Sequence, residues 1–137
     1  MYNNIMVPVD LAHADQINKA LTTAADLARH YSAMVHYVAV GTPQPNSVAH
    51  NPEEFAAKLE RFAQQQADDH GISTKAHPMT SNDPSVDLDA TLTRAGDAIG
   101  ADLIIMASHI PGFMDHVFHT HGSYVASHSH LSVFVVR

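Results

Sequence analysis

Five short apolar runs, separated by stretches of helical spacing, set the tightest limit on what this chain can fold into. The runs are Asn4–Val9, Ala33–Val40, Ile72–Met79, Leu103–Ala107 and Ser132–Val136. Between the first two, Ile17, Ala20, Leu21, Ala24, Ala25, Leu27 and Ala28 recur with the period of one helical face, over Asp15 to His30. Asn51-Pro52-Glu53-Glu54 supplies a capping residue, a proline for the first helical position and early acids, which predicts a helix running to about Asp69 and ending at Gly71. Asp83-Pro84 opens a third helix that turns Val86, Leu88, Leu92, Ala95 and Ile99 inward and stops at Gly100. A short last helix is expected over roughly Ser123 to Ser129. Strands joined through helices must be parallel, and right-handed crossovers put helices on both faces. The expected fold is therefore α/β: a single domain of 137 residues with an open five-stranded parallel sheet. The first strand belongs at its centre, the mixed-polarity run 72–79 at an edge.

Open sheets of this kind take ligands beyond the carboxyl ends of their strands, where the strand order reverses. That rule directs attention to Asp10, Val40, Gly41 and the segment from Met106 to Ser123. Gly122-Ser123, at the start of the last helix, offers backbone N–H groups, a hydroxyl and the positive end of a helix dipole, a combination suited to a phosphate. Each residue also has a plainer reading. Asp10 can cap the first helix or solvate a loop, Met106 and Val40 can line the core, and Ser123 can be an ordinary helix cap.

Charge and composition remove several function classes. A net charge of −7 with histidines neutral argues against a nucleic-acid partner, which requires a basic face. The absence of cysteine rules out a disulfide framework, a thiolate metal site and a cysteine nucleophile. MYNNIMVPVD has neither the basic start nor the long apolar core of a signal peptide, and no apolar run approaches the ~20 residues that cross a bilayer. A cytoplasmic protein without membrane insertion is expected. Twelve histidines are present, with His109, His116, His119, His121, His128 and His130 crowded near the C-terminus. Imidazoles at this density can bind metal or make anion binding pH-sensitive, but no His-Glu-x-x-His motif accompanies them, and surface enrichment without a metal is the plainer account. No nucleophile elbow, Walker lysine loop or recognisable carboxylate pair is present, so no catalytic residue is assigned. The 107–123 segment holds Asp115 and no Lys or Arg. A nucleoside triphosphate there would need Mg²⁺ to offset its charge, and turnover would be slow at most.

Four motifs spread along the chain, IMVPVD at the start, MASH after the fourth strand, GS opening the last helix and SVFVVR at the end, resemble the universal stress protein family. The family pattern is Gly-x-x-Gly, nine residues, then Gly followed by Ser or Thr. Here Ala107 and Ile110 stand where the usual GSHG has glycine, while nine residues back from Gly122 lead to Gly112. The resemblance implies a flavodoxin-like (HUP-type) five-stranded fold, a homodimer, and in one branch ATP binding without obvious turnover. It further implies that Pro8, Val9, Asp10 and Val40 face the adenine and ribose and that Met106 lines the base pocket. Ser108, His109 and Gly112 would approach the sugar and phosphates, with Gly122, Ser123 and Tyr124 holding the phosphates.

An apolar edge strand at Ser132–Val136 is a pairing hazard unless covered, and a two-fold dimer would cover it. The expected function is thus an ATP-binding or other adenine-nucleotide-binding dimer that regulates a stress response. The alternatives are a protein-interaction module of the non-nucleotide branch, in some relatives associated with membrane transporters, and a slow metal-dependent ATPase.

Overall fold

The computed structural model describes residues 1–108, 125–127 and 129–137, with the backbone alone at 84–87. Its core is one five-stranded parallel sheet in the order β3-β2-β1-β4-β5. The strands are β1 (Asn4–Pro8), β2 (Met34–Gly41), β3 (Ser73–Thr80), β4 (Leu103–Ala107) and β5 (Ser132–Val136). Three helices alternate with the first four: α1 (Asn18–Tyr31), α2 (Pro52–His70) and α3 (Pro84–Ile99). Residues 125–127 are helical, inside the span expected for the last helix.

β1 is the middle strand because both its faces are apolar: Ile5, Met6 and Val7 are fully buried. Ile5 and Val7 join Val35, Tyr37 and Ile105 beneath α1 and α2. Met6 joins Val38, Ile104 and Met106 beneath α3 and Val125. β3 and β5 are the edges, as their sequences imply. β3 tolerates Pro78 there because an edge strand needs only one ladder. β5 leaves Phe134 and Val135 43 % and 46 % exposed.

Element ends follow from local hydrogen bonding. α2 and α3 stop where Gly71 and Gly100 adopt φ of 62° and 72°, a left-handed conformation that glycine enters without a side-chain penalty. α1 ends without that signal: Ser32 takes the same conformation at φ 54°, so the helix reaches one residue beyond the expected His30. The residue after each cap still serves the helix. Ala33 N–H donates to Ala28 O (2.9 Å) and Ile72 N–H to Ala67 O (3.3 Å). β2 and β3 consequently begin one residue later than their apolar runs do, and extend through Gly41 and Thr80.

The start of α1 departs further from expectation. Instead of helix from Asp15, the chain makes a 3₁₀ turn at Ala14–Gln16 and begins α1 at Asn18. Asp10 explains the delay: its Oδ1 accepts from Ala12 N–H (3.0 Å) and its backbone O from His13 N–H (3.0 Å), folding the chain back before Ile17 enters the core. At the opposite end of the sheet, both oxygens of Asp102 accept backbone N–H groups, of Asn3 (2.8 Å) and Asn4 (3.2 Å), and fix the entry of β1 beside β4.

A cavity at the carboxyl ends of β1 and β2

The strand order places β1 where the chain's outward progression changes direction, and a cavity of about 200 Å³ opens at that end of the sheet. Pro8, Val9, Asp10 and Leu11 supply one wall, and Val38 to Thr42 the adjoining one. Leu88 and Leu92 of α3, Phe55 of α2, and Asn46 and Val48 of the intervening loop complete it. The volume falls below the roughly 300–1,000 Å³ typical of pockets that enclose a drug-sized ligand, and so suits one moiety of a larger molecule.

The backbone at the rim is set by the ladders. Val9 N–H donates to Val38 O (2.8 Å), the rung beyond the paired residues of β1 and β2. Gly41 O accepts from Ser81 N–H (2.9 Å) on the β3 side. Because backbone directions alternate along a strand, the N–H and C=O of Val40 turn the other way, past the end of β1. Gly41 packs tightly: a β-carbon there would sit 3.1 Å from the Phe55 ring, which would have to shift by a few tenths of an ångström.

The loop from Thr42 to Asn51 is bonded to itself. Asn46 Oδ1 accepts from Val48 N–H (2.9 Å) and Ala49 N–H (3.1 Å), and Asn46 Nδ2 donates to Thr42 Oγ1 (3.4 Å). Lys58 Nζ donates to Val48 O. Where this loop meets α2, Asn51 Oδ1 accepts from Glu54 N–H (2.8 Å) and Glu54 Oε2 accepts from His50 N–H (3.1 Å). That reciprocal cap holds the Glu54 carboxyl below its usual range.

Among the described residues, Asp10 is the ionisable side chain that lines the cavity. Its Oδ2 lies 3.0 Å from His13 Nδ1, and both side chains are half-buried. An apolar cavity with one carboxylate at its rim accommodates an uncharged, hydroxyl-bearing group, since the carboxylate accepts from hydroxyls and repels a phosphate.

Four of the sequence-selected residues, Pro8, Val9, Asp10 and Val40, line this cavity together with Gly41. Met106 does not: it is buried against Met6, Ile104, Val125 and Leu131 in the core under α3. Ser108 donates its N–H to Val136 O (2.8 Å), prolonging the β4–β5 ladder. His109, Gly112, Gly122, Ser123 and Tyr124 lie outside the described residues, as does the rest of the expected phosphate loop. Sequence reasoning missed Asn46, Val48 and Phe55. A signal existed for the first, since Asn followed by Ser in a proline-flanked loop marks a side-chain-bonded turn. Among the described residues no group of three or more His, Asp or Glu is arranged to hold a metal ion, and no helix is long and apolar enough to cross a membrane.

Comparison with known proteins gives the fold its context. Universal stress protein G of Salmonella typhimurium is 27 % identical over 148 aligned positions, covering 100 % of both chains, and the Escherichia coli O157:H7 protein of the same name is equally similar. Among solved structures, universal stress protein UspA from Lactobacillus plantarum superposes with a TM-score of 0.69 at 21 % identity, covering 99 % of this chain and 98 % of that one. The Archaeoglobus fulgidus universal stress protein in complex with dAMP gives 0.69 at 18 % identity, over 99 % and 98 % of the two chains. These similarities extend to the flavodoxin-like sheet and its covering helices. Residues 1–137 match the universal stress protein family throughout, and the chain belongs to that family.

Proposed function

We propose that this protein binds an adenine nucleotide, with the base and ribose in the cavity between Asp10 and Val40, and that nucleotide occupancy sets the state of a regulatory, stress-responsive dimer in the cytoplasm. The observation that supports this most is the cavity itself: apolar, at the carboxyl ends of β1 and β2, and carrying one carboxylate. An adenine edge needs one donor and one acceptor, which the N–H and C=O of Val40 can supply as a pair. Asp10 can accept from ribose hydroxyls. Family members solved with dAMP, cAMP and AMP support the same ligand class. Our candidate nucleotide is ATP accompanied by Mg²⁺, with Ser108, His109, Gly112, Gly122, Ser123 and Tyr124 toward the sugar and phosphates. β5 is the proposed dimer contact, because among the described residues it pairs on one side only and exposes Phe134 and Val135.

Calorimetric titration with ATP, with and without Mg²⁺, tests the proposal. Saturable binding is expected, weakened about tenfold or more in Asp10→Ala through loss of charge-assisted hydrogen bonds. No binding of any adenine nucleotide at millimolar concentration would overturn it. Sedimentation should report a dimer that Val135→Glu dissociates. One observation favours a second reading, a nucleotide-free interaction module: Ala107 and Ile110 replace the two glycines that let backbone approach phosphates. Nucleotide released on denaturing freshly purified protein distinguishes the two.

A further inference from the structure

The face of the sheet beneath α3 contains a polar chain that the cavity does not use. His36 of β2, 5 % exposed, lies between Asn4 of β1 and His77 of β3. Its Nε2 is 2.9 Å from Asn4 Oδ1 and its Nδ1 is 2.9 Å from His77 Nε2. Asn4 Nδ2 in turn donates to the backbone O of Gly100, which caps α3 (3.5 Å).

The orientation of the Asn4 amide sets the direction of the hydrogen bonds along the chain. Asn4 directs its amide N–H to Gly100, so its Oδ1 is an acceptor and His36 must donate from Nε2. A neutral imidazole protonated at Nε2 is bare at Nδ1, which therefore accepts from His77 Nε2–H. Hydrogen bonds thus run in one direction from β3 through β2 and β1 to the end of α3. A proton added at His77 Nδ1 leaves this order intact. A proton added at His36 Nδ1 faces the His77 N–H directly and breaks it.

We propose that Asn4, His36 and His77 form an acid-released latch that fastens the edge strand β3 and the C-terminal end of α3 to the centre of the sheet. Its described surroundings oppose protonation. Burial foremost, then the His77 ring and the Lys75 ammonium, push His36 down to about 4. Burial and Lys75 also lower His77. Lys75 sits opposite His36 in the β2–β3 register. From α3, the side chains packed on this face are Leu88, Leu92, Ala95 and Ile99. The charged Arg94 and Asp97 are exposed, and Asp89 is half-buried on α3 between Leu88 and Leu92 in the sequence. From β1, Met6 is apolar, and Asp102 is engaged with the N–H groups of Asn3 and Asn4. Among the described residues no carboxylate is in hydrogen-bond contact with His36 to compensate a charge there.

The sign follows from linkage. The folded value lies below that of the unfolded chain, near 6.5, so the latch contributes its full stability above that pH. The contribution is lost as pH falls from about 6.5 toward 4. Val38 lines the cavity two residues along β2, and Leu88 and Leu92 do so from α3, so loosening this face reaches the cavity wall. The latch stands on its own geometry and does not require a nucleotide in that cavity.

Denaturant unfolding of the full chain from pH 7.5 to 4.5, in the wild type and in His36→Gln, tests the latch. Gln can donate to Asn4 and accept from His77 but takes up no proton. Between pH 6 and 5 the wild-type folding constant should fall more steeply than that of the variant, by close to tenfold per pH unit for the one proton removed. Equal slopes would overturn the proposal. If His36→Gln does not fold at pH 7.5, ¹⁵N NMR of the wild type decides, with the His36 resonances assigned through the backbone. His36 should remain neutral to pH 5 with its proton on Nε2. A midpoint near 6.5, or a proton on Nδ1, would contradict it.

Discussion

The two faces of this sheet are built on different principles. Beneath α1 and α2, alanines and branched residues interlock with Tyr37, Leu59 and Ala63 in one continuous apolar cluster. Beneath α3 the described part of the cluster is rich in methionine, and beside it run the hydrogen bonds of Asn4, His36 and His77. Apolar burial is insensitive to pH and depends on packing density, whereas an ordered imidazole pair depends on where one proton sits. The first face therefore carries stability that conditions alter little. The second is adjustable, and it adjoins the cavity through Leu88 and Leu92.

The sharpest way to break this contrast is to damage the first face. Leu59 is fully buried there, and Leu59→Ala should cost about 2–5 kcal/mol, nearly the same at pH 7.5 and pH 5.5, as measured by urea unfolding. A cost that depended strongly on pH would mean that the faces are not separable. Next in size is the response of the second face. Lowering the pH from 7 to 5 should cost about 2 kcal/mol through His36 alone, from its ordinary value of 6.5 and its folded value of about 4. Hydrogen exchange should then show β3 amides losing protection before those of β1. Two smaller changes refine the account of the first face through its helix ends. Asn51→Ala removes the α2 cap and should cost about 1 kcal/mol in thermal unfolding. Ser32→Gly relieves a left-handed residue at the end of α1 and should stabilise by about 0.5–1 kcal/mol.

How far the sequence foretold these features depends on how local their causes are. The central β1 and the edge strands were legible because burial on two faces or one leaves its mark on each run of residues. Gly71, Gly100 and the Asn51-Pro52 cap announced their helix ends for equally local reasons. The start of α1 was not legible, because it depends on which groups the Asp10 carboxylate and carbonyl bind. The end at Ser32 was hidden, since serine gives no sign of a left-handed cap. At the site, the topological rule pointed to Asp10 and Val40 and the family resemblance added Pro8 and Val9, all four of which line the cavity, whereas Met106, which the resemblance put at the base pocket, is buried in the core beneath α3. Strand alternation sends Met106 to the α3 face with Ile104. Asn46, Phe55 and the His36–His77 pair needed the register of β2 on β3 and the path of a loop, which no single segment encodes.

The central claim is that the cavity at the ends of β1 and β2 receives the adenosine part of a nucleotide. Backbone amide NMR during titration with ATP and Mg²⁺ tests it most directly. The account predicts saturable shifts concentrated at Val9 to Leu11, Val40 to Thr42 and Asn46, whose midpoints move together to about tenfold higher ATP or more in Asp10→Ala. Shifts absent at millimolar ATP, or confined to residues remote from these, would contradict it.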